Sequence, residues 1–142
     1  MSGEGPTPRI VVLADDLIWA TRLVDGVRRA GGDPVPSRTA GAFAAALGTA
    51  DGVLVDLTAR AYDGLAALAA ARDSGVSAIA VAQHDDVPLR QAAKTAGASR
   101  VYAYRLLFEH GDRELAAWLE TVTHPATVGR DRPIAGPQEE DR

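Results

Sequence analysis

The sequence predicts an open, doubly wound α/β domain made of five strand–helix units. Two observations carry this reading: there are five short apolar runs, each followed by a stretch with helical spacing, and three of the runs are continuous rather than alternating. A continuous apolar strand is covered on both faces, as in a parallel sheet with helices on either side. At 142 residues, 46% hydrophobic but only 5% aromatic, the chain can fill one domain core with Ala, Val and Leu.

The first strand is expected at 10–14. In the helix after it, Ala20, Leu23, Val24 and Val27 lie three and four apart and turn one stripe to the sheet, and Gly31 and Gly32 close it. A weak second strand is placed at 34–36, and Thr39 opens the next helix. The third strand is expected at 53–56, and Gly75 ends its helix. The fourth falls at 78–83, after which Asp85 or Asp86 with Pro88 opens a helix that Gly97 ends. The fifth falls at 101–104, and a last helix runs to about Val122. The domain is therefore read as 9–122. Segments 1–8 and 123–142 are expected to be flexible; the second holds Pro125, Pro133, Gly136 and Pro137 among charges.

Composition excludes several classes of function. Fifteen Lys and Arg against 19 Asp and Glu give a net charge of −4, and Arg28 with Arg29 is too small a patch for nucleic acid. The absence of cysteine removes disulfides, thiolate metal sites and cysteine nucleophiles, and agrees with a cytoplasmic location. No apolar run approaches the ~20 residues of a membrane span, so no membrane association is expected. Neither a Gly-x-Gly-x-x-Gly nor a Walker loop occurs, and no Ser, Cys and His arrangement suggests nucleophilic catalysis, so enzymatic activity is not expected.

In such a sheet, ligands collect at the carboxyl ends of the strands, where strand order reverses. Those ends carry Asp15 and Asp16, Asp56, Gln83 and His84, and Tyr104 and Arg105. A hard divalent cation would offset the mutual repulsion of Asp15, Asp16 and Asp56, although an N-cap role explains one of the first two without a ligand. His84 has no second histidine at metal spacing, which favours a hydrogen-bonding or partner-facing role. Asp85 and Asp86 read as helix caps. Trp19 falls off the apolar stripe and is either a lid over the edge or part of a contact surface, and Tyr102 is read as core, facing opposite to Tyr104.

Asp56 is followed by Asp63, Gly64 and Leu65, acids end the first strand, and Ala96, Gly97 and Ala98 close the fourth helix. This set resembles the response-regulator receiver family over about residues 9–122. The resemblance implies a flavodoxin-like (βα)5 sheet in the order 2-1-3-4-5. It also implies that Asp56 stands at the phosphoacceptor position of a two-component phosphorelay, with magnesium held weakly by Asp15, Asp16 and Asp56. One register puts Ala14 and Asp15 on the family's acid pair, and a register shifted by one puts Asp15 and Asp16 there.

Two positions that the family uses for switching depart from its pattern. Ala82 stands where a hydroxyl residue bonds the phosphoryl oxygen, and Tyr104 stands where a lysine ends the fifth strand; the only lysine of the chain is Lys94, within the fourth helix. Arg105 is adjacent, but on a strand it points to the opposite face. Arg60 replaces a proline common between the acceptor and Asp-Gly. The pattern is similar to degenerate, or pseudo-, receivers, and the stretches 16–23 and 83–86 resemble short single-domain bacterial members. It implies a stand-alone regulatory module that acts through protein–protein interaction, without phosphorylation-driven switching and without a required cofactor. The alternative it implies is a response regulator phosphorylated on Asp56. The expected contact face is that of the fourth helix, fifth strand and fifth helix, with Tyr102, Tyr104, Arg105, Leu106 and Phe108, meeting a protein partner or a second copy as a homodimer.

Overall fold

A computed structural model describes residues 7–123; the expectations for 1–6 and 124–142 lie outside the described residues. The elements alternate as β1 (Arg9–Leu13), α1 (Leu17–Ala30), β2 (Asp33–Ser37), α2 (Ala40–Leu47), β3 (Gly52–Asp56), α3 (Gly64–Asp73), β4 (Ser77–Ala82), α4 (Val87–Ala96), β5 (Arg100–Ala103) and α5 (Tyr104–Thr123). All strand pairs are parallel, in the order β2-β1-β3-β4-β5. All five strands begin one residue earlier than the apolar runs suggest; β1, β4 and β5 end one residue earlier, β2 one later and β3 as expected. At β1 and β5 burial outlasts the ladder: Ala14 and Tyr104 are buried although neither is in a strand.

Strand alternation divides the core in two. Ile10, Val12, Leu54, Ile79 and Val81 meet α1 and α5 on one face, with Leu23, Leu115, Trp118 and Leu119. Val11, Leu13, Val53, Val55 and Ala80 meet α2, α3 and α4 on the other, with Phe43, Leu68 and Ala93. Four helices are capped by the residue the sequence offers there. Asp16, Thr39, Asp63 and Asp86 each accept from the amide three residues on. Gly31 and Gly97 turn the chain out of α1 and α4 at φ 106° and 126°, in the left-handed half of conformational space that glycine enters freely.

The fifth unit differs from expectation. Tyr104 is the first residue of α5, not the last of β5, and its ring joins that of Tyr102 in the cluster under α1 and α5. The two rings thus lie on the same side of the sheet, not on opposite sides. α5 itself is broken at His110, whose φ −133° and ψ 18° leave the helical region.

Both sheet edges are modified. At β2 the Asp33 amide donates to Pro8 O and Ser37 O accepts from the Ala14 amide, so the odd-numbered residues turn their polar groups to β1, and Pro34 and Pro36 face outward. At β5 the Arg90 guanidinium donates to Val101 O at 3.1 Å. Among the described residues, no helix is long and apolar enough to cross a membrane.

Candidate functional site

β3 delivers Asp56 to the carboxyl edge, where its side chain is only 1% exposed. The chain then turns, and Thr58 folds back on it: the Thr58 amide and Oγ1 lie 2.9 and 2.8 Å from Asp56 Oδ1. From the start of α5 the Tyr104 hydroxyl donates to the same oxygen and lies 2.7 Å from Thr58 Oγ1. Asp56 Oδ2 is buried with no hydrogen-bond partner. Burial, and next the hydrogen bond to Asp56, push the Tyr104 hydroxyl well above the usual tyrosine range.

A second tyrosine ties β1 to β3. The Tyr62 hydroxyl lies 2.9 Å from Leu13 O and 2.6 Å from Asp56 O, and burial, then the charges of Asp56 and Asp15, push it up as well. Asp15 Oδ2 accepts from the amides of Arg60 and Ala61, each at 3.0 Å, while its own carbonyl accepts from Arg38. Asp16 Oδ1 caps α1 through the Trp19 amide at 3.0 Å. Asp15 and Asp16 therefore do separate work, one on the β3–α3 loop and one on α1.

Magnesium asks for near-octahedral oxygen ligation. Among the described residues no three His, Cys, Asp or Glu side chains come together in a way that holds a metal ion. An oxygen of Asp15 is taken by loop amides, one of Asp16 by the helix start, and Asp56 offers one fully engaged oxygen and one enclosed oxygen. The residues present do not fit the cation.

Aromatic rings close the site. Trp19 lies 4.8 Å from the Tyr104 ring and stacks on Phe108 at 5.0 Å, with the Arg22 guanidinium 5.5 and 5.4 Å from the two ring centres. Trp19 is thus a cover over Tyr104. Ala82 ends β4 fully buried, and His84 and Asp85 are exposed beside it.

The expected contact face is corrected at three positions. Tyr102 and Tyr104 are buried and Phe108 is half-buried against the core, because these rings fill the junction of β5 with α5. Arg105 and Leu106 are exposed, and Arg105 points away from Asp56 to Glu109, at 3.1 Å. Thr58 and Tyr62 were not anticipated. An Asp followed two residues on by Thr is a local side-chain turn signal that could have found Thr58; nothing local marks Tyr62.

No protein-family model and no curated protein matches the sequence. Solved structures do. The chain matches NtrX from Brucella abortus with a TM-score of 0.76 at 19% identity, over 94% of this chain and 32% of that one. It matches the receiver domain of the Francisella response regulator 1452 with a TM-score of 0.68 at 15% identity, over 85% and 100% of the two chains. The receiver domain of TorR, a response regulator of the TMAO respiratory system, gives 0.72 at 19% identity, over 82% and 99%. The fold is that of response-regulator receivers. This chain spans less than a third of NtrX, but the receiver domains of the other two almost entirely. Within the receiver fold, Asp56 ends β3 and Tyr104 approaches it from the β5–α5 junction.

Proposed function

We propose that this chain is a receiver-fold signalling module that acts through contact with another protein and is not switched by phosphorylation of Asp56. The observation that carries the reading is the enclosure of Asp56 beneath Tyr104. Attack on a phosphodonor needs a carboxylate oxygen open to the donor and positive charge to stabilise the transferring group. Here one oxygen meets three donors, the other is enclosed, and the single lysine, Lys94, sits exposed on α4. No cofactor and no catalysis enter this reading. Arg105 and Leu106 remain available for a protein partner or a second copy at α5.

One atom favours the alternative. Asp56 Oδ2 has no partner, and a histidine kinase that opened the Tyr104 cover would find an acceptor oxygen there. Intact mass after incubation with acetyl phosphate and magnesium decides between the two, with Asp56→Asn as control. The expected result is no phosphoryl adduct on either chain; an adduct on the native chain that disappears in the variant overturns the proposal.

A further inference from the structure

Tyr104 touches two regions that the carboxyl edge would otherwise leave independent. At its inner end the hydroxyl donates to Asp56 Oδ1 and completes a triangle of oxygens with it and Thr58 Oγ1, in which two hydroxyl protons are shared among three close contacts. At its outer side the ring meets Trp19, which stacks on Phe108 under Arg22. Beside this stack the chain is open to solvent: Leu17 and Ile18 at the start of α1 are 66% and 68% exposed, and Leu106 in the first turn of α5 is 40% exposed. Val87, the first residue of α4, completes the exposed large apolar residues of the described chain, and all four stand where a helix leaves the carboxyl edge.

A phenol free at its tip can slide and tilt in its pocket, whereas one held by two oxygen partners keeps its tip, and with it the tilt of its ring axis, in place. That ring packs against Trp19, and Trp19 is two residues after Leu17, the first of the exposed pair. Removing the hydroxyl would also strip a buried acceptor of a donor, a cost that local rearrangement would relieve.

We propose that Tyr104 is a positioning residue that couples the buried Asp56 to the surface at the starts of α1 and α5. The hydroxyl latch on Asp56 and Thr58 sets the Trp19–Phe108 stack, and the stack sets the first turns of both helices. The coupling deepens the reading of the chain as an unswitched module: a side chain of the protein itself ties Asp56 to the stack.

Amide and indole proton–nitrogen spectra test this on the full chain, because Trp19 and Trp118 give one indole signal each and Trp118, bonded to Ser77 Oγ in the core, is an internal control. Tyr104→Phe keeps the ring and should move the Trp19 signal while leaving Trp118 in place. Amide exchange at Thr58 and at 105–108 should quicken about tenfold, as expected for loss of one hydrogen bond to a charged acceptor. Asp56→Asn should move the Trp19 signal in the native background and not in the Tyr104→Phe background. Equal displacement in both backgrounds, or none in either, overturns the coupling. Should Tyr104→Phe fail to fold, Thr58→Val removes one corner of the triangle at an exposed residue, and an unmoved Trp19 signal there is equally fatal. A phosphoryl adduct on Asp56 would sink the contact-module reading and leave this coupling standing.

Discussion

Asp15 is a carboxylate spent on its own backbone. Its Oδ2 satisfies two amides of the β3–α3 loop, so its role in the folded chain is to hold that loop against β1. Asp15→Ala should cost about 1 kcal/mol, below the ~1.5–3 kcal/mol of a hydrogen bond to a charged group because the loop is solvent-exposed. Asp15→Asn keeps an acceptor and should cost less; equal losses for the two in urea denaturation would show that the amides are not what Asp15 serves. The positions of Asp15, Asp16 and Asp56 were legible in the sequence because each ends an apolar run. Their partners were not, since the Tyr104 hydroxyl reaches Asp56 across 48 positions of chain and the loop amides reach Asp15 across 45 and 46.

At the scale of elements, legibility follows how local the cause is. The cap at Thr39 and the exits at Gly31 and Gly97 depend on a few neighbouring residues, and the sequence placed them; it narrowed the cap of α4 to Asp85 or Asp86, of which Asp86 serves. The break at His110 was not legible: Leu107 before it and Leu115, Trp118 and Leu119 after it all reach one core cluster, so the apolar pattern runs through without interruption. Two glycines of similar appearance should respond in opposite ways to alanine. Gly97 has φ 126°, and a Cβ there would come 2.9 Å from Arg72 Cβ, so Gly97→Ala should destabilise by more than about 1 kcal/mol. Gly111, just after the break in α5, is not among the glycines at positive φ, and an added Cβ would come no nearer than 3.6 Å to Leu107, so Gly111→Ala should stabilise by about 0.5 kcal/mol. Thermal melts of the two variants that shift in the same direction would contradict this.

On the scale of the whole molecule, the strand order is what gathers the site: β1 and β3 are neighbours, so the ends that carry Asp15 and Asp56 meet although they are far apart in sequence. That much followed from the βα rhythm together with the strand order that the receiver resemblance implies. The tyrosines make stability depend on pH. All three are held above the ordinary value of 10, each chiefly by burial. The folded chain therefore keeps protons that the unfolded chain gives up above about pH 10, so this stabilisation is complete below that pH and is lost as pH rises beyond it. The tyrosinate absorbance of Tyr62 and Tyr104, the two most strongly raised, should rise only together with loss of helical circular dichroism. Either of the two ionising near pH 10 in a fully folded chain would refute it.

The outward-facing Pro34 and Pro36 of β2 have no amide hydrogens, and Arg90 occupies a carbonyl of β5. Neither margin of the sheet offers a stranger a full row of donors and acceptors. Both margins therefore resist the edge-to-edge pairing by which a ladder would pass from one molecule into the next.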